Sequence, residues 1–272
     1  MLELFEHMKM RYFLLASMIV FVVTLVFLGG DLEHPVKEVI FVYVTLGIFP
    51  IVWFGYYLEK QGYRFSDLIQ TTGIKPLAIP LGVIFIVYFA LALGVVWFSS
   101  FVLSFISPDY VEYFLSDEDL LPKGRPIAAF FLAIYIGIIG PIAEELIFRG
   151  LLLNRISYKL NLKYGIMISS FIFAIFHFDI IGSFITGVIL SFVYIWTKNL
   201  LYPILLHIAN NCLVVFLVIF NIELPRFFIY TTVQEVQVVT VPNIIIIIVF
   251  APLLVFVLYK YRPLFLKEQI KD

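Results

Sequence analysis

Three charged residues stand close together in an apolar stretch of this chain: IGPIAEELIFRG carries Glu144, Glu145 and Arg149. A charge at a bilayer centre costs about 2.5–3.5 kcal/mol on insertion scales, so such a group demands a reason. Glu145 and Arg149 are four residues apart on one helical face, where they can pair and lower each other's cost. Glu144 is rotated about 100° from Glu145 and is left over. Pro141, beside Gly140, lacks the N–H that would bond residue 137, which predicts a kink or loosened turn just before the glutamates. The plain structural alternative is that these charges only mark a helix end. Leu151, Leu152 and Leu153 continue the apolar run past Arg149 and argue against it.

Two further apolar stretches carry polar residues at helical spacing. SSFIFAIFHFD places Phe173 and His177 at i and i+4, and YPILLHIANN places His207 and Asn211 at the same spacing. A lone histidine on an apolar face is more often a satisfied core residue than a catalyst, but two of the chain's four histidines fall this way. Peptide hydrolysis without a serine or cysteine nucleophile needs an activated water, a base for its proton and donors aimed at the oxyanion. A carboxylate taken out of water holds its proton more tightly, which moves a glutamate toward useful basicity. Glu144 can serve as general base with His177 helping to hold the water, while His207 and the Asn211 amide donate to the oxyanion; Glu145 and Arg149 support the helix. Two histidines and a glutamate are also a known zinc ligand set. The absence of an H-E-x-x-H pairing favours a reaction needing no cofactor, with zinc as the alternative.

The elements that must position these residues are membrane helices. Of the 272 residues 62% are hydrophobic and 14% charged, more apolar surface than a soluble domain can hide. Apolar segments near residues 12–29, 39–57, 79–106, 127–153, 164–178, 180–197, 200–220 and 243–260 predict an all-α polytopic membrane protein of about eight transmembrane helices. Strict ten-residue alternation, the mark of a barrel strand, is missing. A formal net charge of −1 gives no field for nucleic acid, so the expected partners are the bilayer and a membrane-associated peptide or lipidated protein. With the N-terminus inside, 14 of the 18 Lys and Arg residues face the cytoplasm and only Lys37, Lys123, Arg125 and Arg226 face away, so both termini are expected to be cytoplasmic in a cell membrane. The acidic run Asp117, Glu118 and Asp119 then lies outside.

Depth is consistent with one intramembrane site. Taking the inner boundary near Arg155, Lys163 and Lys198, Glu144 lies about 11 residues in, His177 about 14 and His207 about 9, or roughly 16, 21 and 13 Å. Residues 58–77 mix charge with Tyr63, Phe65 and Leu68, which fits either an interfacial amphipathic helix or a polar loop. Residues 107–126 and 221–242 hold several prolines and read as outer loops. Lys9 and Arg11 before the first apolar run resemble a secretory signal, but no A-x-A-like site follows, and the run reads as a retained helix. Cys212 has no possible intrachain partner.

Taken in order, the motifs resemble those of the CPBP (Abi) family of intramembrane endopeptidases, which includes the CAAX prenyl endopeptidases. Its EExxxR, FxxxH and HxxxN patterns stand here as Glu144-Glu145-Arg149, Phe173-His177 and His207-Asn211. Pro141, Gly150, Ser169, Ser170, Gly187, Tyr194 and Pro203 fit as intervening residues. The resemblance implies a glutamate-dependent protease in which Glu144 and His177 activate water and His207 and Asn211 form the oxyanion site. The chain is then one membrane domain over 1–272: N-terminal helices at 1–126, a catalytic core at 127–215, and an outer loop with the last helix at 216–272. Two readings from other classes stay open: a non-catalytic scaffold, immunity or regulatory protein using the polar cluster as glue, and an ion-coupled transporter. No inverted repeat of the kind many transporters carry is detectable.

Overall fold

The computed structural model describes residues 8–30, 32, 34–70, 74–115, 120–177, 179–222, 230–238 and 240–267. It is 85% helical, with no strand among the described residues. Among the described residues seven helices are long and apolar enough to cross a membrane: α1 (Met10–Phe27), α2 (Pro35–Lys60), α3 (Pro76–Ile106), α4 (Pro126–Lys159), α6 (Ile180–Thr197), α7 (Leu201–Ile219) and α8 (Val241–Leu266). Between α4 and α6 the apolar helix α5 (Leu162–Ile175) has only 14 residues. That is about 21 Å of rise, short of the roughly 30 Å of hydrocarbon. The protein is therefore an all-α, multi-pass membrane protein whose eight expected segments are all helical, the fifth too short to span alone.

Large apolar side chains lie on the outside as well as in the core, as a lipid solvent permits. On α1, Leu14, Met18, Val22, Val26 and Phe27 are all more than half exposed. Only Phe13 and Thr24 of that helix are buried.

Cα proximity divides the chain into two compact units interleaved in sequence. The first comprises Met1–Thr72, Asp119–Ser169 and Leu190–Phe220; the second comprises Gly73–Glu118, Ser170–Ile189 and Asn221–Asp272.

In the first unit α2 and α4 share an unusual feature. Each has a widened, π-type turn, at Tyr43–Ile48 and at Tyr135–Ile139, and each such turn is followed two residues on by a proline, Pro50 or Pro141. A proline supplies no N–H and its ring clashes with the preceding turn, which is one cause of such a widening. The two turns meet at Gly47: a Cβ there would sit 2.9 Å from Ile139 Cγ2 and 3.5 Å from the Tyr135 ring, so glycine is needed for the approach. Tyr43 Oη donates to the Phe131 carbonyl at 2.8 Å and ties the same helices together. Phe13 of α1 packs on Phe49 and Phe54 of α2, with ring centroids 5.9 and 5.8 Å apart.

The segment 58–77, open by sequence between an amphipathic helix and a polar loop, holds the end of α2, a single helical turn at Phe65–Leu68 and the start of a new helix at Ile74. Leu68 is buried, and the Leu68 carbonyl accepts from the Leu200 N–H at 3.0 Å. Asn199 Nδ2 donates to the Gln70 carbonyl at 2.7 Å, so this stretch packs at the start of α7.

In the second unit α3 packs along α8. A Cβ at Gly94 would lie 2.9 Å from Ile246 Cγ2 and 3.1 Å from the Asn243 carbonyl, so the backbones are close. Asn243, fully buried, donates to Tyr230 Oη at 2.7 Å, and the Tyr230 ring stacks edge-on to Trp97 at 4.5 Å. The expected outer loops contain short helices, Pro108–Leu115 and Val233–Val238. The acidic run Asp117, Glu118 and Asp119, together with Arg226 and Lys271 from the charge argument, lies outside the described residues.

Candidate active site

The first unit gathers five of the six candidate residues on two helices, α4 and α7. Glu145 and Arg149 pair as expected: Arg149 Nη1 donates to Glu145 Oε1 at 2.8 Å, with both side chains almost wholly buried. The same carboxylate oxygen also receives His207 Nδ1 of α7 at 2.9 Å, across 62 residues of sequence. Glu145 thus does more than brace its own helix. A carboxylate acceptor at Nδ1 requires the proton there, which leaves Nε2 to face outward. Nε2 stands 3.8 Å from Glu144 Oε2, beyond direct hydrogen-bond length.

Exposure separates the two glutamates. Glu144 keeps 28% of its side-chain surface accessible, against 0% for Glu145 and 4% for His207. Of the first motif's charged residues, only Glu144 can be reached from outside the packed helices.

Asn211, one turn beyond His207, donates from Nδ2 to the Ile136 carbonyl at 2.9 Å. The reason lies in the widened turn. Gly140 N–H bonds the Tyr135 carbonyl, five residues back. In that register the donor for Ile136 would be residue 141, and Pro141 has none. The loosened turn expected before the glutamates is present, and Asn211 supplies the missing donor. Cys212 Sγ reaches the Gly137 carbonyl at 3.4 Å in the same way. Asn210 Nδ2 donates to Asn211 Oδ1 at 3.2 Å. One Asn211 N–H is therefore committed to the backbone, and the second remains as the donor available for chemistry.

His177 belongs to the second unit. It is not within a span: α5 ends at Ile175, and His177 lies in the following bend. The helix closes with tight turns, Phe176 N–H to Phe173 O at 3.4 Å and His177 N–H to Ala174 O at 2.9 Å. His177 Nδ1 lies 2.8 Å from the Phe173 carbonyl, with the two rings 4.3 Å apart. A carbonyl can only accept, so Nδ1 carries the proton and Nε2 the lone pair. The i, i+4 relation read from the sequence survives as a side chain closing the helix end. After the bend, Asp179 Oδ1 accepts from Gly182 N–H and from Ser99 Oγ, each at 3.0 Å, and so caps α6.

Sequence reasoning missed Asn154, which is fully buried on α4 and shares its two amide N–H among the Arg149 and Gly150 carbonyls at 2.8 and 2.6 Å and Tyr194 Oη at 2.8 Å. It holds the widened turn Leu146–Leu153, immediately after the glutamates, against α6. An amide inside GLLLNRI is itself a signal in an apolar run.

A zinc ion would need three protein ligands. Within this unit Glu145 Oε1 is taken by Arg149 and His207 Nδ1, leaving Glu144 Oε2 and His207 Nε2 as the facing donors. Among the described residues no group of three His, Cys, Asp or Glu side chains is arranged to hold a metal.

Comparison with known proteins addresses the same stretch. Residues 126–213 match the sequence model of the type II CAAX prenyl endopeptidase Rce1-like family. The membrane-embedded CAAX protease MroQ of Staphylococcus aureus (strain USA300) is 38% identical over 115 residues, 39% of this chain and 46% of that protein. The putative membrane peptidase YdiL of Bacillus subtilis (strain 168) is 37% identical over 81 residues, 29% of this chain and 33% of that protein. The match thus spans less than half the length of either relative. No solved structure matches at a significant level. The three motifs lie in order inside the matched stretch, so the α4-to-α7 segment is similar to the type II CAAX prenyl endopeptidase Rce1-like family.

Proposed function

We propose that this protein is an intramembrane endopeptidase that hydrolyses a peptide bond of a membrane-associated protein or peptide. The observation that carries the reading is the contrast within Glu144, Glu145 and His207: one glutamate buried and spent on orienting a histidine, its neighbour accessible beside that histidine's Nε2. Glu144 takes a proton from a water whose oxygen attacks the scissile carbonyl, and returns it to the amine as the C–N bond breaks. With a proton on each ring nitrogen, Nδ1–H held by Glu145 and Nε2–H turned to the substrate, His207 donates to the oxyanion beside the remaining Asn211 N–H. His177 enters through the motif resemblance, as a second group on the water through Nε2.

The CAAX-type names of the Rce1-like family and of MroQ support a lipidated, prenyl-bearing C-terminal peptide as the substrate class. The charge bias of the loops supports both termini in the cytoplasm, with the site opened from that side. A second reading, in which the cluster only holds helices together, draws support from the Asn211 and Asn154 bonds to backbone carbonyls.

The test is cleavage of a farnesylated CAAX peptide by purified, detergent-solubilised protein, wild type beside Glu144→Ala, each with and without a chelator. The expected result is cleavage by the wild type, loss of it in the variant at unchanged thermal stability, and no chelator effect. An intact peptide with the wild type would remove prenyl-peptide processing. A variant that melts early would favour the structural reading.

A further inference from the structure

Away from this cluster, α1 and α2 leave a cavity of about 400 Å³ between them in the first unit. Lys9 directly precedes α1 and Lys60 is the last residue of α2, and the packing of Phe13 on Phe49 and Trp53 brings those two ends side by side. The cavity has an apolar wall of Leu15, Ala16 and Ile19 and a polar lining in which Lys9 and Lys60 stand at the helix ends and Trp53 lies about two turns earlier on α2. From Lys9 to Ile19 is about 15 Å along a helix, so the cavity runs from the membrane interface into the hydrocarbon.

The polar wall has unfilled capacity. Among the described residues neither lysine has a carboxylate partner; Lys9 Nζ instead sits over the Tyr12 ring at 5.9 Å. Trp53 Nε1 is buried with no hydrogen-bond partner among the described residues. A buried N–H needs an acceptor, and two ammonium groups at an interface need an anion. A free anion would leave the apolar wall unused, and a zwitterionic head would bring its own ammonium against the lysines. We propose that this cavity binds one anionic phospholipid, with its phosphate held by Lys9 and Lys60, an oxygen accepting from Trp53 Nε1, and an acyl chain along Leu15, Ala16 and Ile19.

The test uses the full chain in neutral detergent carrying Trp97→Phe and Trp196→Phe, which leaves Trp53 as the reporter. Brominated-chain phosphatidylglycerol should quench it saturably, and brominated phosphatidylcholine at least tenfold more weakly. Lys9→Gln with Lys60→Gln should weaken phosphatidylglycerol binding roughly twentyfold. Lys9→Arg with Lys60→Arg should preserve it, and Lys163→Gln should leave it unchanged. Inorganic phosphate and glycerophosphoglycerol, which lack chains, should not displace the lipid. Melts in lipid-free detergent check that the Gln pair folds. Equal quenching by both lipids, undiminished binding in the Gln pair, loss of binding in the Arg pair, or displacement by the bare head group would each overturn the proposal. Binding that appears only after removal of residues 2–7 would assign the cavity to the chain's own N-terminus and also overturn it.

Discussion

Asn211 Nδ2 donates at 2.9 Å to the carbonyl of Ile136, the group that Pro141 leaves without a main-chain donor. The asparagine and the proline are thus one device split between two helices. Asn211→Ala should cost about 1–3 kcal/mol, the range for stranding a buried acceptor. In a Pro141→Ala background, where residue 141 regains its N–H, the same change should cost less. A double-mutant cycle on thermal unfolding in detergent measures the coupling, and strict additivity would contradict it.

The two glutamates should fail in different ways. Glu145→Ala removes the shared partner of Arg149 and His207, both buried, and should destabilise by about 3–5 kcal/mol. Glu144→Ala should leave the melt unchanged and abolish peptide cleavage, since Glu144 keeps 28% of its side chain accessible where Glu145 keeps none. Parallel melts and cleavage assays separate them; a stable Glu145→Ala protein would sink the assignment of Glu145 as the holder of His207.

Gly47 is the contact point of the two widened turns. Gly47→Val forces its side chain into Ile139 and should cost about 1–3 kcal/mol as an overpacking. Ile139→Ala in the same chain should recover part of that loss. Absence of any recovery in the melting temperature would mean that the two turns do not meet as described.

Topology is open to direct labelling because Cys212 is the chain's one cysteine. In a Cys212→Ala background, Lys163→Cys should react with a membrane-impermeant maleimide only after the cytoplasmic side is opened. Lys123→Cys should react in intact cells. The opposite pattern would invert the orientation argued from loop charge.

The hairpin of α5 and α6 should depend on the Asp179 cap. Asp179→Ala leaves the first turn of α6 without its cap, while the Ser99 hydroxyl keeps the Val96 carbonyl at 2.9 Å, and should cost about 1 kcal/mol, whereas Asp179→Asn retains most of the stability. Equal melting temperatures for the two variants would contradict the cap.

What the amino-acid sequence determined by itself is what local physics decides. Segment hydropathy alone marks the helices, because each span must satisfy its own backbone in lipid. The Glu145–Arg149 pair follows from a four-residue spacing, and the loosened turn before the glutamates follows from Pro141. The end of α5 at Ile175 was not legible, because FIFAIFHF stays apolar through the bend and the signal that stops the helix is hydrogen bonding, not composition. Tertiary structure alone decided which glutamate meets His207, that Asn211 serves a carbonyl 75 residues away, and that Asn154 reaches Tyr194. A helical wheel gives the direction of a side chain on its own axis, but not the axial offset and rotation of the helix beside it. Those come from how the widened turns and glycines of neighbouring helices fit, and they made Glu145 the support and left Glu144 accessible.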